Sequence, residues 1–462
     1  MDLAFLPATE QARLVRARDV SSHELVRLCL ERIERLDPQL NSFVTVCGEE
    51  ALAEAAKRDS HPGEGPFHGV PIAIKDLTAT AGIRTTYSCR AFADNVPDFD
   101  TAVVRRVREA GFVIVGKTNT PEFGTVAFTE SELNGATANP WSPELTPGGS
   151  SGGAAAALAA GLVPIAHGSD GGGSIRIPSS CCGLFGLKPS RGRVSTAPFS
   201  SFEGLSTGGS IARYVADAAA FLDVVSGYEP GDPWWAPPPE RPFVEELGVD
   251  PGRLRIGVAA APPIDVPVHA DCVEAVRAAA ALLEDLGHDV VDATPAWSDA
   301  RVLDLFITIW QVGPALYPVP LDMLTPLNRG LAEVARSTSS ADFALASFEL
   351  QAVARRIVGF WDDYDILLTP TLALPPVPIG WQEEGVTGAL EQLRRNTVFT
   401  PFTAIANLTG LPAMSAPLHR NGNGHPIGVQ AIGPPAGDAL LIRLAAQLEE
   451  ARPWSGDRPQ IS

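Results

Sequence analysis

The sequence predicts an α/β protein, and two observations carry the prediction. Patterns typical of amphipathic helices alternate with short apolar runs typical of buried strands along much of the chain. Hydrophobic residues make up 45% of the 462 positions, which is enough for a large core. The length is about three times that of a typical domain, so it fits two or three domains or one large body.

Residues 1–65 are predicted to be helical. The segment SSHELVRLCLERIERL (residues 21–36) begins with Ser21 and Glu24 at the spacing of a capping box, and leucine and isoleucine follow at helical intervals. The next segment, GVPIAIKDL (69–77), predicts a short buried strand that ends at a lysine.

The alternation of helix and strand continues beyond this strand. Residues 101–111 predict an amphipathic helix that ends at Gly111, and FVIVGKTN (112–119) predicts the following strand. The segment SGGAAAALAAGL (151–162) predicts a helix of small residues that packs closely on a sheet. Prolines cluster in residues 227–243 and predict an exposed connection.

The second half of the chain has a similar pattern. Residues 253–260 and 271–293 predict a strand, a helix and a strand, and residues 297–396 are mixed, with a strand-like run at 364–372. From residue 401 onward the sequence predicts a helix, a strand, a hairpin with a Gly/Asn turn, a strand and a final amphipathic helix.

Charge and targeting signals exclude several classes of protein. The formal net charge of −19 repels nucleic acid and anionic lipid, so neither is expected as a partner. The N-terminus lacks the features of a secretory signal, and the longest apolar run, residues 154–166, is too short to span a membrane. None of the six cysteines forms a CxxC pair, so buried reduced thiols are expected. These observations predict a cytoplasmic protein.

The first feature that suggests chemistry is DGGGSIR (residues 170–176). Glycines lack a Cβ, so the amides of Gly171, Gly172 and Gly173 can turn toward one point and stabilise a developing negative charge. Ser174 adds a fourth amide and a hydroxyl that is a candidate nucleophile. The alternative is a flexible loop with an N-capping serine.

The second feature is TPGGSSGGAAAA (residues 146–157). Its Gly-Ser-Ser-Gly-Gly segment fits G-x-S-x-G, the nucleophile-elbow pattern, with Ser151 as the nucleophile. That mechanism requires a downstream histidine, and nothing distinguishes His269, His419 and His425. The alternative is a turn that leads into the helix of small residues. No Gly-Lys-Ser/Thr follows, which argues against a phosphate loop.

The third feature is Lys75, at the end of the strand predicted in residues 69–77. An isolated buried charge is costly, so this lysine either pairs with Asp76 or another acid, or is held neutral. Being half neutral at pH 7 requires its pKa to fall by roughly three units, at a cost on the order of 4 kcal/mol, which burial can achieve.

These features coincide with further motifs that together resemble the amidase signature family. The motifs are GVPIAIKD with Lys75, GKTNTPEFG (116–124), NPW (139–141), the run from Pro147 to Ser195, and FTAIANLTGLPAMSAPL and PIGVQAIGP near the C-terminus. The resemblance covers nearly the whole chain and weakens from about residue 297 to residue 396.

The resemblance implies a single amidase domain over residues 1–462. Its body would hold a central twisted mixed β-sheet covered by helices on both faces. The signature core would occupy about residues 66–225, and a variable substrate-side region about residues 297–396.

The hydrolases of this family use a Ser–cis-Ser–Lys triad. By motif position, the resemblance implies Ser174 as nucleophile, Ser150 as bridging serine and Lys75 as base. It also implies a cis peptide bond between Gly149 and Ser150. On this interpretation Ser151 is not the nucleophile and no histidine is needed.

The implied mechanism is a proton relay. Neutral Lys75 takes a proton from Ser150, which takes one from Ser174 as that oxygen attacks the carbonyl. The relay returns the proton to the leaving amine, and water then hydrolyses the acyl-enzyme. No metal or cofactor is required.

The resemblance also assigns the loop around the nucleophile. It implies that four amides bind the oxyanion, those of Gly171, Gly172, Gly173 and Ser174. Asp170 and Arg176 are expected to hold the loop. Gly171 stands where a side chain is common in the family, which puts the rigidity of the loop in question.

Within the family, the chain resembles aminohexanoate cyclic-dimer (nylon oligomer) hydrolases, aryl acylamidases and urethanases. This implies a small, hydrophobic, non-peptidic amide, anilide or carbamate substrate, with esters also conceivable. Gly124 and Thr125 are expected on the acyl side of the cleft. Residues 306–324 either wall the substrate entrance, with Trp310 and Tyr317 as ring contacts, or form a core helix followed by a loop.

Two other functions remain as alternatives. A glutaminase subunit of a tRNA-dependent amidotransferase shares the fold and the triad, and the negative charge argues only weakly against it. A catalytically inactive binding or scaffold protein is disfavoured, because Lys75, Ser150 and Ser174 are intact. The sequence leaves open the preferred acyl and amine groups and whether the protein is a homodimer.

Overall fold

The computed structural model describes residues 2–61, 63 and 65–462. The strands among them are β1 Phe43–Val46, β2 Pro71–Lys75, β3 Val113–Thr118, β4 Glu130–Ser131, β5 Gly135–Ala136, β6 Ile165–Asp170, β7 Phe185–Lys188, β8 Thr207–Ala212, β9 Arg255–Val258, β10 Asp289–Asp292, β11 Ile366–Pro370, β12 Ala413–Arg420 and β13 Pro426–Ile432. The α-helices are α1 Ala8–Ala17, α2 Ser22–Leu40, α3 Gly48–Ser60, α4 Ala102–Glu109, α5 Gly152–Ala159, α6 Arg176–Cys182, α7 Val215–Val225, α8 Ala270–Asp285, α9 Val302–Trp310, α10 Pro326–Ser337, α11 Ser340–Val358, α12 Ala389–Phe399, α13 Ala404–Thr409 and α14 Asp438–Ala451.

The described strands form one eleven-stranded mixed sheet and a separate two-stranded pair, β4–β5. The order in the large sheet is β1-β3-β2-β6-β8-β7-β12-β13-β11-β9-β10. Strands β3, β2 and β6 are parallel neighbours, as are β11, β9 and β10. The strands between β6 and β11 pair antiparallel.

Helices cover both faces of this sheet, as the alternation along β2 shows. Ile72 and Ile74 belong to a buried cluster that includes residues of α4, α7, α8 and α14. Ala73, between them, belongs to a second cluster that includes residues of α2 and α5. Successive side chains of a strand point to opposite faces, so the two clusters lie on opposite sides of the sheet. The expected α/β body with a large mixed sheet flanked by helices is confirmed.

The elements follow the local signals that predict them. Helix α2 begins at the predicted capping box, in which the Ser21 hydroxyl accepts from the Glu24 N–H and the Glu24 carboxylate accepts from the Ser21 N–H. Strand β2 ends at Lys75. Helix α5 packs so closely that a Cβ on Gly153 would lie 2.6 Å from the Ser42 carbonyl oxygen. Small residues are therefore required on that helix.

The prediction that residues 1–65 are helical is wrong in one place. Strand β1 lies between α2 and α3 and pairs antiparallel with β3 at the edge of the sheet. Helix α2 ends at Asn41, whose φ of 52° is left-handed, and the FVTV segment that follows has the aromatic and β-branched residues that favour a strand. Positions 62 and 64 of this region lie outside the described residues.

The expectations for the proline-rich connection and for the cysteines are confirmed. The proline-rich connection is exposed, with Trp234 and Trp235 retaining 43% and 68% of their accessible surface. All six cysteines are buried and unpaired. The described part of the chain contains no helix both long and apolar enough to cross a membrane.

Candidate active site

The candidate site lies where two parallel strands end. Strands β2 and β6 are neighbours, with Ala73 paired to Ala166, so their carboxyl ends reach the same edge of the sheet. Lys75 is the last residue of β2, and Asp170 is the last residue of β6. The sheet order therefore brings the Lys75 side chain and the loop after Asp170 together.

The ammonium end of Lys75 is fully buried among hydroxyl groups. Its Nζ lies 2.7 Å from Ser150 Oγ, 3.1 Å from Ser169 Oγ and 3.4 Å from the Ser169 carbonyl oxygen. Burial lowers the pKa of Lys75 to about 7, and the negative charge of Asp170 opposes this shift only in part. Lys75 therefore has a large neutral fraction at neutral pH.

Asp76 is not the partner of Lys75. Its carboxylate instead accepts from the N–H of Thr86, at 3.1 and 3.2 Å, and from the Thr86 hydroxyl at 2.5 Å. Of the two interpretations left open by the sequence, the structure thus favours a lysine held neutral by burial over a Lys75–Asp76 salt bridge.

Ser150, the expected bridging serine, is held in a tightly packed segment. The Gly149–Ser150 peptide bond is cis, as the family resemblance implies. A Cβ on Gly149 would lie 2.7 Å from the Phe128 backbone nitrogen, so a larger residue does not fit there. Ser150 retains only 2% of its accessible surface, which keeps its contact with Lys75 away from bulk water.

Ser174 lies next to the buried segment that contains Ser150 and Ser151, and it borders a cleft. The residue lines the cleft and is 8% exposed, and its carbonyl oxygen accepts from the Ser151 N–H at 3.2 Å. In the described residues, no protein group hydrogen-bonds to the Ser174 hydroxyl. This hydroxyl is therefore not tied to another protein group and is available to a molecule in the cleft.

Ser151, the alternative nucleophile, faces the sheet. Its hydroxyl donates to the Ser169 carbonyl at 3.3 Å and accepts from the Ser169 N–H at 3.4 Å, and the residue is fully buried. The elbow interpretation is therefore not supported by the geometry.

Three of the four expected oxyanion donors are available. In the described structure, the amides of Gly171, Gly172 and Ser174 have no acceptor within the protein. Gly173 differs from the expectation because its N–H donates to Asp170 Oδ1 at 2.8 Å. Gly173 has a structural role instead, since its φ is 131° and a Cβ there would lie 2.7 Å from Ile177 Cδ1.

Asp170 and Arg176 anchor the loop, as expected. Both side chains are fully buried, with Arg176 Nε 3.0 Å from Asp170 Oδ2 and Nη2 2.9 Å from Oδ1. Burial opposes ionisation of Asp170, but the adjacent guanidinium of Arg176 outweighs it and holds the pKa of this carboxyl well below its usual range. Arg176 also donates to the Thr403 carbonyl and to the side chains of Asn407 and Gln430, which ties the loop to the C-terminal part of the chain.

The cleft beside Ser174 has a volume of about 840 Å³, part of which is open to solvent. Its walls are mainly apolar and include Ile177, Ile264, Leu303, Phe306, Leu393 and Ile405. Helices α9 and α12 therefore supply the part of the cleft wall that comes from the variable region, which the sequence left unassigned.

The expected substrate contacts divide into two groups. Gly124, Thr125 and Trp310 line the cleft. Tyr317 does not, because its ring stacks on Phe123 at a centroid distance of 3.9 Å, in a separate apolar cluster. The chain leaves the cleft at the end of α9, so only the first part of residues 306–324 forms its wall.

Sequence reasoning missed the contribution of Ser169 to the site. Its hydroxyl lies 3.1 Å from Lys75 Nζ and gives the lysine a second oxygen partner. The feature of the sequence that could have identified Ser169 is its position directly before Asp170 and the glycine-rich segment.

A family model for Amidase matches residues 24–442. The chain belongs to the amidase signature family. It is 38% identical to 6-aminohexanoate-cyclic-dimer hydrolase of Paenarthrobacter ureafaciens, over 98% of this chain and 96% of that protein. The family and its named hydrolases establish this amidase signature protein as an enzyme that hydrolyses amide C–N bonds.

Solved structures of the family have the same fold. The structure of 6-aminohexanoate cyclic dimer hydrolase complexed with substrate is 37% identical, covers all of both chains and has a TM-score of 0.92. A bacterial aryl acylamidase is 28% identical, with a TM-score of 0.86 over 98% of this chain and 97% of its own. The solved glutamyl-tRNA(Gln) amidotransferase component from Thermotoga maritima is 31% identical, with a lower TM-score of 0.77 over 100% and 98%.

Proposed function

We propose that this amidase hydrolyses amide, anilide or carbamate bonds of small, neutral, hydrophobic molecules through Lys75, Ser150 and Ser174. The observation that carries the proposal is the 2.7 Å contact between Lys75 Nζ and Ser150 Oγ, beside an apolar cleft lined by Ser174. A base with a pKa of about 7 matches a reaction at neutral pH.

The reaction follows from these positions. Neutral Lys75 takes the proton of Ser150, Ser150 takes the proton of Ser174, and Ser174 Oγ bonds to the carbonyl carbon. The amides of Gly171, Gly172 and Ser174 donate to the resulting oxyanion. The relay then delivers the proton to the leaving nitrogen as the C–N bond breaks. Water repeats the sequence on the acyl-enzyme and releases the acid.

The cleft supports a neutral substrate. Over the described part of the chain, its lining contains no Asp, Glu, Lys, Arg or His side chain. Free glutamine carries an ammonium and a carboxylate, and burying either without a partner is costly. The lining therefore favours a hydrophobic amide over the glutaminase alternative, although an amidotransferase component shares the fold. The names of the two hydrolase neighbours, which refer to a cyclic amide dimer and to aryl amides, support the same class.

The experiment is a substrate panel combined with trapping of the intermediate. We expect turnover of anilides, aliphatic amides and aryl carbamates, and little turnover of glutamine. Rapid-quench intact-mass spectrometry of the wild-type enzyme should detect an added acyl group, and Ser174→Ala should abolish it. The proposed substrate class would be refuted if glutamine were the one compound of the panel that is hydrolysed. A requirement for a copurified second subunit in that reaction would point to the amidotransferase.

Other expectations remain predictions that the same preparation can test. One domain over residues 1–462 predicts a single cooperative unfolding transition. If the enzyme is cytoplasmic, it should be recovered in the cytosolic fraction. If it binds no nucleic acid, the purified protein should show no absorbance from nucleic acid. Light scattering decides between a monomer and a homodimer.

A further inference from the structure

Trp310 contacts two backbone segments of the candidate site. One segment, residues 171–174, contains the candidate oxyanion donors and lines the cleft at Gly172 and Ser174, and the other, residues 124–127, lines it as well. At the end of α9, Trp310 donates from Nε1 to the Thr125 carbonyl oxygen at 3.0 Å. Its ring also covers Gly171, where a Cβ would lie 3.1 Å from Trp310 Cη2 and 3.5 Å from Cζ3.

The close approach to Gly171 depends on the absence of a side chain. The φ of Gly171 is outside the left-handed region, so an alanine would meet no backbone strain there. Apart from the Trp310 ring, the nearest atom to a Cβ at this position would be Ser206 Cβ at 3.8 Å, an ordinary contact. The tryptophan ring therefore occupies the space that a side chain at residue 171 would need.

The other contacts of the loop hold its later residues. The Thr403 hydroxyl donates to the Gly172 carbonyl at 2.6 Å, and Asp170 accepts from the N–H of Gly173. Gly171 has no comparable hydrogen bond among the described residues. The Asp170 carbonyl oxygen, in the same planar peptide unit as the Gly171 N–H, accepts from Asn407 Nδ2 at 2.9 Å. Packing against the Trp310 ring restrains Gly171 beyond this unit, because a glycine without a hydrogen bond of its own is conformationally free.

The ring itself is held on its other side. Trp310 stacks on Phe306, one turn earlier in α9, with ring centroids 5.5 Å apart and an angle of 18° between the planes. Together with the Nε1 bond to Thr125, this stacking fixes the ring in two directions.

We infer that Trp310 is a positioning residue, which holds the Gly171 amide in line for the oxyanion, and that Gly171 and Trp310 act as a coupled pair. The inference rests on the proposed function, because the oxyanion forms during acyl transfer to Ser174. It also bears on the rigidity of the loop, which the glycine at position 171 puts in question, because the Trp310 ring packs on Gly171.

The test is a double-mutant cycle on an anilide that the wild-type enzyme hydrolyses. Trp310→Phe removes the Nε1 donor and the Cη2 atom, and we expect kcat to fall about tenfold with KM changing less than threefold. Gly171→Ala should also lower kcat about tenfold, because its methyl group displaces the loop from the tryptophan ring. In the Trp310→Phe background, Gly171→Ala should cost less than about twofold, because the atom it collides with is gone.

Two controls separate positioning from packing alone. Gly172→Ala places a Cβ 3.9 Å from Trp310 Cη2, an ordinary contact, so its effect should multiply with that of Trp310→Phe. Leu303→Ala removes a cleft wall residue on the same helix, and it should raise KM while kcat stays within about threefold. Thermal unfolding identifies any variant whose loss of activity comes from loss of fold.

The outcomes distinguish this inference from the proposed function. If the wild-type enzyme forms no acyl-enzyme on any substrate, the proposed function fails. If it does, and Trp310→Phe raises KM at unchanged kcat, Trp310 is only a substrate contact and the inference is overturned. The inference would also be overturned if the double variant lost kcat by the product of the two single losses, because the two residues would then act independently.

Discussion

Lys75 Nζ and Ser150 Oγ lie 2.7 Å apart, although the two residues are separated by 75 positions in the chain. Lys75 is fully buried and Ser150 is 2% exposed. The contact thus places an amine of nearly neutral pKa in a buried pocket with hydroxyl groups around it, and this has consequences for activity and for stability.

Activity should rise with pH through the pKa of Lys75. Burial lowers this pKa to about 7, so the lysine is protonated below that value and cannot accept the proton of Ser150. We expect kcat/KM for an anilide to increase about tenfold per pH unit below pH 6 and to level off above pH 8. A profile that stays flat between pH 5 and 9 would contradict the relay, as would near-normal turnover by Lys75→Met at pH 7.

The same pKa predicts that Lys75→Met stabilises the fold at low pH. Between about pH 7 and 10.5 the unfolded chain binds one more proton at this lysine than the folded chain does, so stability rises with pH in that window. Below pH 7 the lysine is charged in both states, and burying that charge lowers the free energy of unfolding by roughly 5 kcal/mol, as the pKa difference implies. Loss of the hydrogen bonds to Ser150 and Ser169 offsets part of the gain. Urea denaturation should show a gain on the order of 2 kcal/mol at pH 6 that shrinks progressively between about pH 7 and pH 10.5.

Gly124→Ala should impair activity by displacing Ser150. A Cβ at residue 124 would lie 3.0 Å from Ser150 Oγ and 2.6 Å from Leu77 Cδ1, and its φ of 70° adds strain. We expect kcat to fall at least tenfold. Gly82→Ala is the matched control, because Gly82 has a φ of 73° but no atom within 4 Å of a Cβ. It should lose about 1 kcal/mol of stability and keep its activity. Equal kinetic effects of the two changes would rule out the steric explanation.

Ser151→Ala should keep substantial activity, whereas Ser174→Ala should abolish it. Among the described residues, the hydrogen bonds of the Ser151 hydroxyl are to Ser169, and the N–H that donates to the Ser174 carbonyl is retained in alanine. We expect kcat/KM within about fivefold of wild type, because the two hydrogen bonds lost are long and neutral, and such bonds are each worth about 1 kcal/mol or less. A loss in Ser151→Ala as large as that in Ser174→Ala would restore the elbow interpretation.

Arg176→Met should destabilise the protein by about 3–5 kcal/mol. The change leaves the fully buried carboxylate of Asp170 without its counter-charge. Arg176→Lys retains the charge but cannot reproduce the paired bonds to both carboxylate oxygens, so it should lose less stability while still lowering kcat. Thermal unfolding and kinetics of both variants test this, and a lysine variant with wild-type kcat would show that the paired geometry does not matter to the loop.

Local signals predicted most elements of the fold well. The capping box of α2, the strand that ends at Lys75 and the C-terminal hairpin all appear where the sequence places them. The exception was β1, a four-residue strand between two helices, whose existence depends on pairing with β3 rather than on its own pattern. Short elements of this kind are specified by neighbours that are distant in the sequence.

The residues expected to act were predicted through family motifs, and the structure brings several of them together. Lys75 contacts Ser150, and Ser174 lines the cleft beside them. Gly173 and Tyr317 were placed incorrectly for different reasons. The Gly173 N–H faces the Asp170 carboxylate, and the chain turns away from the cleft before Tyr317. Neither direction can be read from residue type or spacing.

The sequence by itself determined the α/β class, the motifs of the family and which side chains are expected to carry chemistry, because these depend on residue identity and on order along the chain. Only the tertiary structure decided which of those groups meet. The parallel pairing of β2 with β6 places Lys75 beside the glycine-rich loop, and the packing of α9 places Trp310 on Gly171. The pKa of Lys75 was likewise decided there, because it depends on how completely the folded chain removes water from one amine.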